Sequence, residues 1–118
     1  RTIAAHIVPA LSAAARAAGR RPPRIAAGIQ FCVTGDVAAA RAYAGPQLEH
    51  YRALPSYQAM LAREGLTEPV DVAVIGDAAR LRAALRDLQG AGVTDVVANV
   101  VGPPECLAPT LEVLAAGL

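Results

Sequence analysis

The segment spanning residues 74–102, VIGDAARLRAALRDLQGAGVTDVVANVVG, constrains the fold of this chain more than any other. Asp77 stands where a side-chain oxygen accepts amide hydrogens that the first turn of a helix leaves unpaired. Leu81, Leu85 and Leu88, with Ala84 between them, recur at helical spacing and form one apolar stripe. Gly92 is placed to take the left-handed conformation that commonly ends a helix. Residues 93–101 then run as a nearly uninterrupted β-branched series, the pattern of a strand buried on both faces. A capped helix delivered into such a strand is a unit of a parallel α/β sheet, and parallel sheets bind ligands at the carboxyl ends of their strands.

The rest of the chain extends this pattern. Residues 2–18 read as a helix with Thr2 at its cap, Ile3, Ile7, Leu11 and Ala14 on one face, Gly19 as its stop, and a kink or early break at Pro9. Residues 25–33 form the first strand, apolar throughout. Thr34-Gly35-Asp36 is a turn ending in a cap, and residues 37–44 open a second helix that Gly45-Pro46 interrupts. A short helix covers 56–64, closed by Gly65, and 67–71 is a loop. Residues 72–75 are either a short strand or an extended lead into the helix at Asp77. The last helix covers about 105–116, with proline at its first turn; Pro109 fits only if the helix starts later. The order is α-β-α-(α)-α-β-α, which predicts an α/β fold with a parallel sheet. Two strands do not make a stable open sheet alone, so the chain reads as part of a larger body.

Composition bears on the same point. The chain has 118 residues, enough for one domain over 1–118; 54% are hydrophobic and 18% charged. That surplus predicts apolar surface covered by a partner subunit or by further chain. The chain begins at Arg1 and its single methionine is Met60, which supports the trailing part of a longer protein. A net charge of +1 argues against nucleic acid as a partner, and no apolar run is long enough for a membrane span. The cluster Arg16, Arg20, Arg21 and Arg24 could hold a phosphate, but reads first as a solvated helix end. Cys32 and Cys106 lack metal-ligand spacing and sit among apolar residues, so both are expected reduced and buried, in a cytoplasmic protein.

Several stretches, in order, resemble a known family: Arg1-Thr2-Ile3 with His6-Ile7-Val8-Pro9; Ala27-Gly28-Ile29 through Cys32-Val33-Thr34 into Asp36-Val37-Ala38-Ala39-Ala40-Arg41; Leu54-Pro55-Ser56-Tyr57; Asp71-Val72-Ala73-Val74-Ile75-Gly76-Asp77; and Ala91-Gly92-Val93-Thr94-Asp95. Together they resemble the C-terminal portion of the luciferase-like monooxygenases, in the coenzyme F420-dependent oxidoreductase branch. The resemblance implies a (β/α)8 TIM barrel holding F420, or alternatively FMN, at its mouth and passing hydride to or from a small-molecule substrate. The two strands then correspond to the seventh and eighth of the barrel, with residues 45–65 as an inserted helical segment. Strands one to six, which supply most cofactor contacts in that family, have no counterpart here. The resemblance therefore assigns no catalytic residue, and the chain alone is expected to be inactive.

In a barrel, alternate strand residues point inward. Gly28, Gln30 and Cys32 share one face of the first strand; Ile29, Phe31 and Val33 share the other, whose bulk suits helix packing. Gln30 and Cys32 are thus candidate cofactor- or substrate-binding residues, Gln30 either touching a ligand or satisfying a neighbouring strand. Asn99, the only amide among the valines of the last strand, is a third candidate, bonding a ligand or serving as a structural bridge. Cys32 has no neighbour in sequence that would activate it as a nucleophile. The loops Thr34-Gly35-Asp36 and Gly102-Pro103-Pro104-Glu105 either receive an anion or simply turn the chain. His6 and His50 read as surface or packing residues, and Tyr43, Tyr51 and Tyr57 as packing for the inserted helices. No Ser-His-Asp order, HExxH motif or phosphate-binding glycine loop is present. The rival reading is a stand-alone α/β interaction module without catalysis. Either way, bare parallel edges predict a homo-oligomer or association through exposed sheet edges.

Overall fold

A computed structural model describes residues 1–117 and has an α/β architecture built on one parallel sheet. Its strands are β1 (Ala26–Val33), β2 (Val74–Gly76) and β3 (Asp95–Val100), in the spatial order β2-β1-β3. The α-helices are α1 (Val8–Ala17), α2 (Val37–Leu48), α3 (Pro55–Glu64), α4 (Ala78–Gly90) and α5 (Leu107–Ala115). β1 pairs with β3 from Ala26↔Asp95 through Phe31↔Val100, and with β2 only at Phe31↔Val74, Cys32↔Ile75 and Val33↔Gly76. The sheet therefore has three strands: of the two alternatives open for residues 72–75, the short strand is the one that forms, because the segment before Asp77 docks on the far edge of β1 for three residues.

α4 forms as its sequence predicts. Asp77 Oδ1 accepts the Arg80 amide at 2.8 Å. Leu81, Ala84 and Leu85 are buried, and Gly92 adopts φ +94. The amides of Gly92 and Val93 then bond to the Gln89 and Leu88 carbonyls, which closes the last turn. Burying Leu81 completely contributes roughly 2–3 kcal/mol of transfer free energy.

Alternate residues of β1 supply two cores on opposite faces of the sheet. Phe31 packs with Val74, Leu81, Ala84, Leu85 and Val113, under α4 and α5. Cys32 packs with Ala40, Ala44, Leu48, Ile75, Val101 and Cys106, under α2. Where the β1–β3 ladder ends, Thr110 of α5 takes over: its hydroxyl accepts the Val33 amide at 2.7 Å and donates to the Cys106 carbonyl at 2.6 Å. At the other end the Thr94 hydroxyl accepts the Ile25 amide at 2.7 Å, beside an Arg24–Asp95 ion pair.

Several expectations need correction. β3 is not buried on both faces: Val96 is 38% and Val97 56% exposed, because among the described residues β1 is its only neighbouring strand and α5 shields one face in part. Thr2 does not cap a helix with its side chain; its backbone amide donates to Glu64 Oε1 at 2.6 Å. The break expected near Pro9 takes the form of a π-helical turn, Ile3–Ile7, after which α1 starts with proline in its first turn, where no donor is needed. Gly45-Pro46 does not interrupt α2, since Ala40, Ala44 and Leu48 anchor it at four-residue intervals on both sides of the proline. Between Thr67 and Asp71 the expected loop includes the start of a 3-10 turn, Pro69–Val72. The last helix begins with a 3-10 turn, Pro104–Cys106, so α5 starts later and Pro109 falls in its first turn, as its fit required.

Candidate functional site

Gln30 and Asn99 are register partners on neighbouring parallel strands, so their side chains leave the same face of the sheet. Gln30 is 8% exposed. Asn99 is exposed rather than buried, as edge position dictates, and it is not the enclosed amide that its valine neighbours suggested. The N-terminal part of this face carries little: a Cβ built on Gly28 would meet nothing within 4 Å. α4 and α5 cover the opposite face.

Over Gln30 lies an aromatic group that sequence reasoning treated only as packing. Tyr51 and Tyr57 stack with ring centres 4.3 Å apart, and His50 tilts against Tyr51 at 4.0 Å. Burial, followed by Tyr51, pushes the Tyr57 phenol above its usual value, while the Gln30 carboxamide acts in the opposite direction. Tyr57 thus joins Gln30 at the site although the two lie on different elements. Tyr43 takes no part in this packing and is 46% exposed.

Along the free edge of β1 runs a groove of about 730 Å³, lined by residues that include Ile3, Ile7, Gly28, Gln30, Tyr57 and Leu88. Its size lies within the range of small-molecule pockets, roughly 300–1,000 Å³. The N-terminal helical segment forms one wall. It is tied to α3 at Glu64, and its Val8 side chain comes within 3.2 Å of where a Cβ on Gly92 would lie. Gln30 lines this groove; Asn99 and Cys32 do not.

Cys32 is enclosed beneath α2 with Cys106, and both thiols are free and buried. Burial, then the adjacent Cys106, pushes the Cys32 thiol up to about 12. A neutral, enclosed thiol is not a nucleophile at neutral pH. The structure thus brings Gln30 and Asn99 together and separates Cys32 from them.

In the loops at the carboxyl ends of β1 and β3 several donors are committed. The Thr34 amide bonds to the Gly76 carbonyl, the Asp36 amide to Thr34 Oγ1 and the Ala39 amide to Asp36 Oδ1. In the second loop Pro103 and Pro104 have no amide hydrogen, and the Cys106 amide bonds to Pro103. The loops also carry carboxylates at Asp36 and Glu105, which disfavour an anion. Among the described residues no cluster of His, Cys, Asp and Glu has the arrangement of a metal site, and no helix is long and apolar enough to cross a membrane. Comparison with protein-family models, curated proteins and solved structures finds no match.

Proposed function

We propose that this chain is the C-terminal arc of a (β/α)8 barrel in a luciferase-like oxidoreductase, which passes hydride between coenzyme F420, or alternatively FMN, and a small organic substrate. One observation carries the reading: β1 and β3 are adjacent and parallel, with α4 and α5 packed over one face of the sheet and an in-register Gln30–Asn99 pair on the other. Inward-facing polar groups on neighbouring strands and helices on the outside are what a barrel segment presents. β2 interrupts the sequential strand order of a barrel and α2 covers the inward face at Cys32, but both are confined to the carboxyl end of β1.

The residues of this chain suit only part of such a cofactor. Two carboxamides side by side can meet the donor–acceptor edge of a planar ring. The phosphates find no charge complement in the two carboxyl-end loops, which carry Asp36 and Glu105 and no basic side chain. On this reading the remaining contacts and the reacting groups come from further chain, and no catalytic step is assigned to these residues. The bound ring would supply the hydride chemistry and the protein its orientation.

The test is to add F420 and FMN separately to the intact parent protein and follow visible absorbance and fluorescence. A spectral change or quenching with one of them supports the proposal, and no change with either overturns it. The parent coding region should also hold roughly 150–200 residues of alternating strand and helix pattern before Arg1. A second reading, a self-associating module without catalysis, is favoured by the open outer edge of β3.

A further inference from the structure

The outer edge of β3 has no strand partner among the described residues. Natural edge strands are usually guarded by charge, proline or a bulge. β3 has neither proline nor bulge, and no charged residue follows Asp95 until Glu105. Asp95 itself is paired with Arg24 at the strand's start. Exposed apolar side chains surround the edge: Val96 and Val97 on the strand, and Leu107 and Leu111, each 49% exposed, on α5, which packs against it.

Which backbone groups point outward follows from the inner ladder. The amides of Asp95 and Val101 donate to Ile25 and Phe31 carbonyls of the β1 segment. Because backbone groups alternate along a strand, residues 95, 97, 99 and 101 face β1, and Val96, Ala98 and Val100 present theirs to the outside.

We propose that a second copy of this chain pairs with β3 antiparallel across a twofold axis centred on Ala98, joining two three-stranded sheets into one of six strands. In this register Ala98 faces Ala98 of the other copy, and Val96 faces Val100 in both directions. All three are narrow pairs in which each residue exchanges two backbone hydrogen bonds, so every outward group of β3 is satisfied. Moving the axis to Val97 leaves the Val100 groups without partners. In the Ala98 register Val97 lies opposite Asn99 on one face and Val96 opposite Val100 on the other, and no like charges meet. An isologous contact of this kind closes on itself as a dimer. The free edge of β1 is a poorer candidate, since β2 occupies one end of it and the N-terminal helix walls the rest. The inference rests on the self-association reading; on the barrel reading the same edge is closed by further chain.

The 118-residue chain is tested by sedimentation and by hydrogen exchange across a concentration series. The expected result is a monomer–dimer equilibrium in which the amides of Val96, Ala98 and Val100 gain protection with concentration, while those of Asp95, Val97 and Asn99 are protected throughout. Ala98→Pro removes an outward donor and no inner one. Val97→Lys places a charge beside the axis while leaving the backbone intact. With circular dichroism unchanged, each should weaken the dimer about tenfold or more. A dimer protected elsewhere, for instance at Ala26 and Gly28, overturns this register but keeps self-association. A monomer at all concentrations overturns both, without bearing on cofactor binding by the parent.

Discussion

β1 and β3 share a ladder and are both rich in small and β-branched residues, but they hold the fold together very differently. β1 has a strand on each side at its carboxyl end and a helical layer over each face, so Phe31 and Cys32 are completely buried. β3 has one neighbouring strand, and Val97 next to the centre of the strand remains 56% exposed. Apolar character shows that a strand can be buried; the number of neighbours decides whether it is. The carboxyl half of β1 is therefore the structural centre of this chain, and β3 is a partly exposed edge.

That contrast can be broken most directly by truncation. Phe31→Ala should lower unfolding free energy by about 3–5 kcal/mol, and Val97→Ala by no more than about 0.5 kcal/mol, in urea titrations below the association range. Equal losses would show that β3 is as deeply integrated as β1. The next effect concerns the single hydroxyl that finishes the β1 ladder. Thr110→Val leaves the part-buried Val33 amide without an acceptor and should cost about 1–3 kcal/mol, with faster hydrogen exchange at Val33. Unchanged exchange there would mean that α5 is not needed to hold that end of the strand.

Alkali sharpens the comparison further. The Cys32 thiol titrates at about 12 in the folded chain against an ordinary value near 9. The folded state thus prefers the neutral thiol, a contribution complete below about pH 9 and withdrawn as pH rises towards 12. Stability should fall by about 1 kcal/mol per pH unit in that window. Cys32→Ala should flatten the slope, and a slope unchanged in the variant would place its origin elsewhere. The smallest expected effect is at the start of α4: Asp77→Ala should lower the melting temperature through a loss of about 1 kcal/mol. No shift would show that packing alone holds that helix end.

Features set by near neighbours in the chain were readable from sequence. The Asp77 cap, the leucine stripe of α4, the glycine turn at Gly92 and the two parallel strands all depend on spacing within about one turn or one strand. Features set by distant pairing were not. β2 is too short to carry a periodic signal, and its docking depends on a free stretch of β1 some 40 residues earlier. The exposure of Asn99 reflects the absence of a second neighbour, which no residue of β3 encodes. Gln30 was readable as an inward polar group, but its meeting with Tyr57 depends on how the segment between α2 and α3 folds back. Pro46 misled because local propensity was outweighed by Ala40, Ala44 and Leu48 packing on either side of it.

Where the chain leaves β3, Gly102 has φ +108, and a Cβ there would lie 2.7 Å from Cys32 Sγ. The sulfur and the bare backbone fit one another closely, so the two positions do not have equal freedom to vary. Position 32 tolerates a smaller side chain, at the cost of a void. Position 102 admits no larger one even then, because its backbone conformation excludes a side chain independently of the sulfur. Among variants of this chain, substitutions should accumulate at 32 while 102 remains glycine, an asymmetry that a library randomised at both sites would expose.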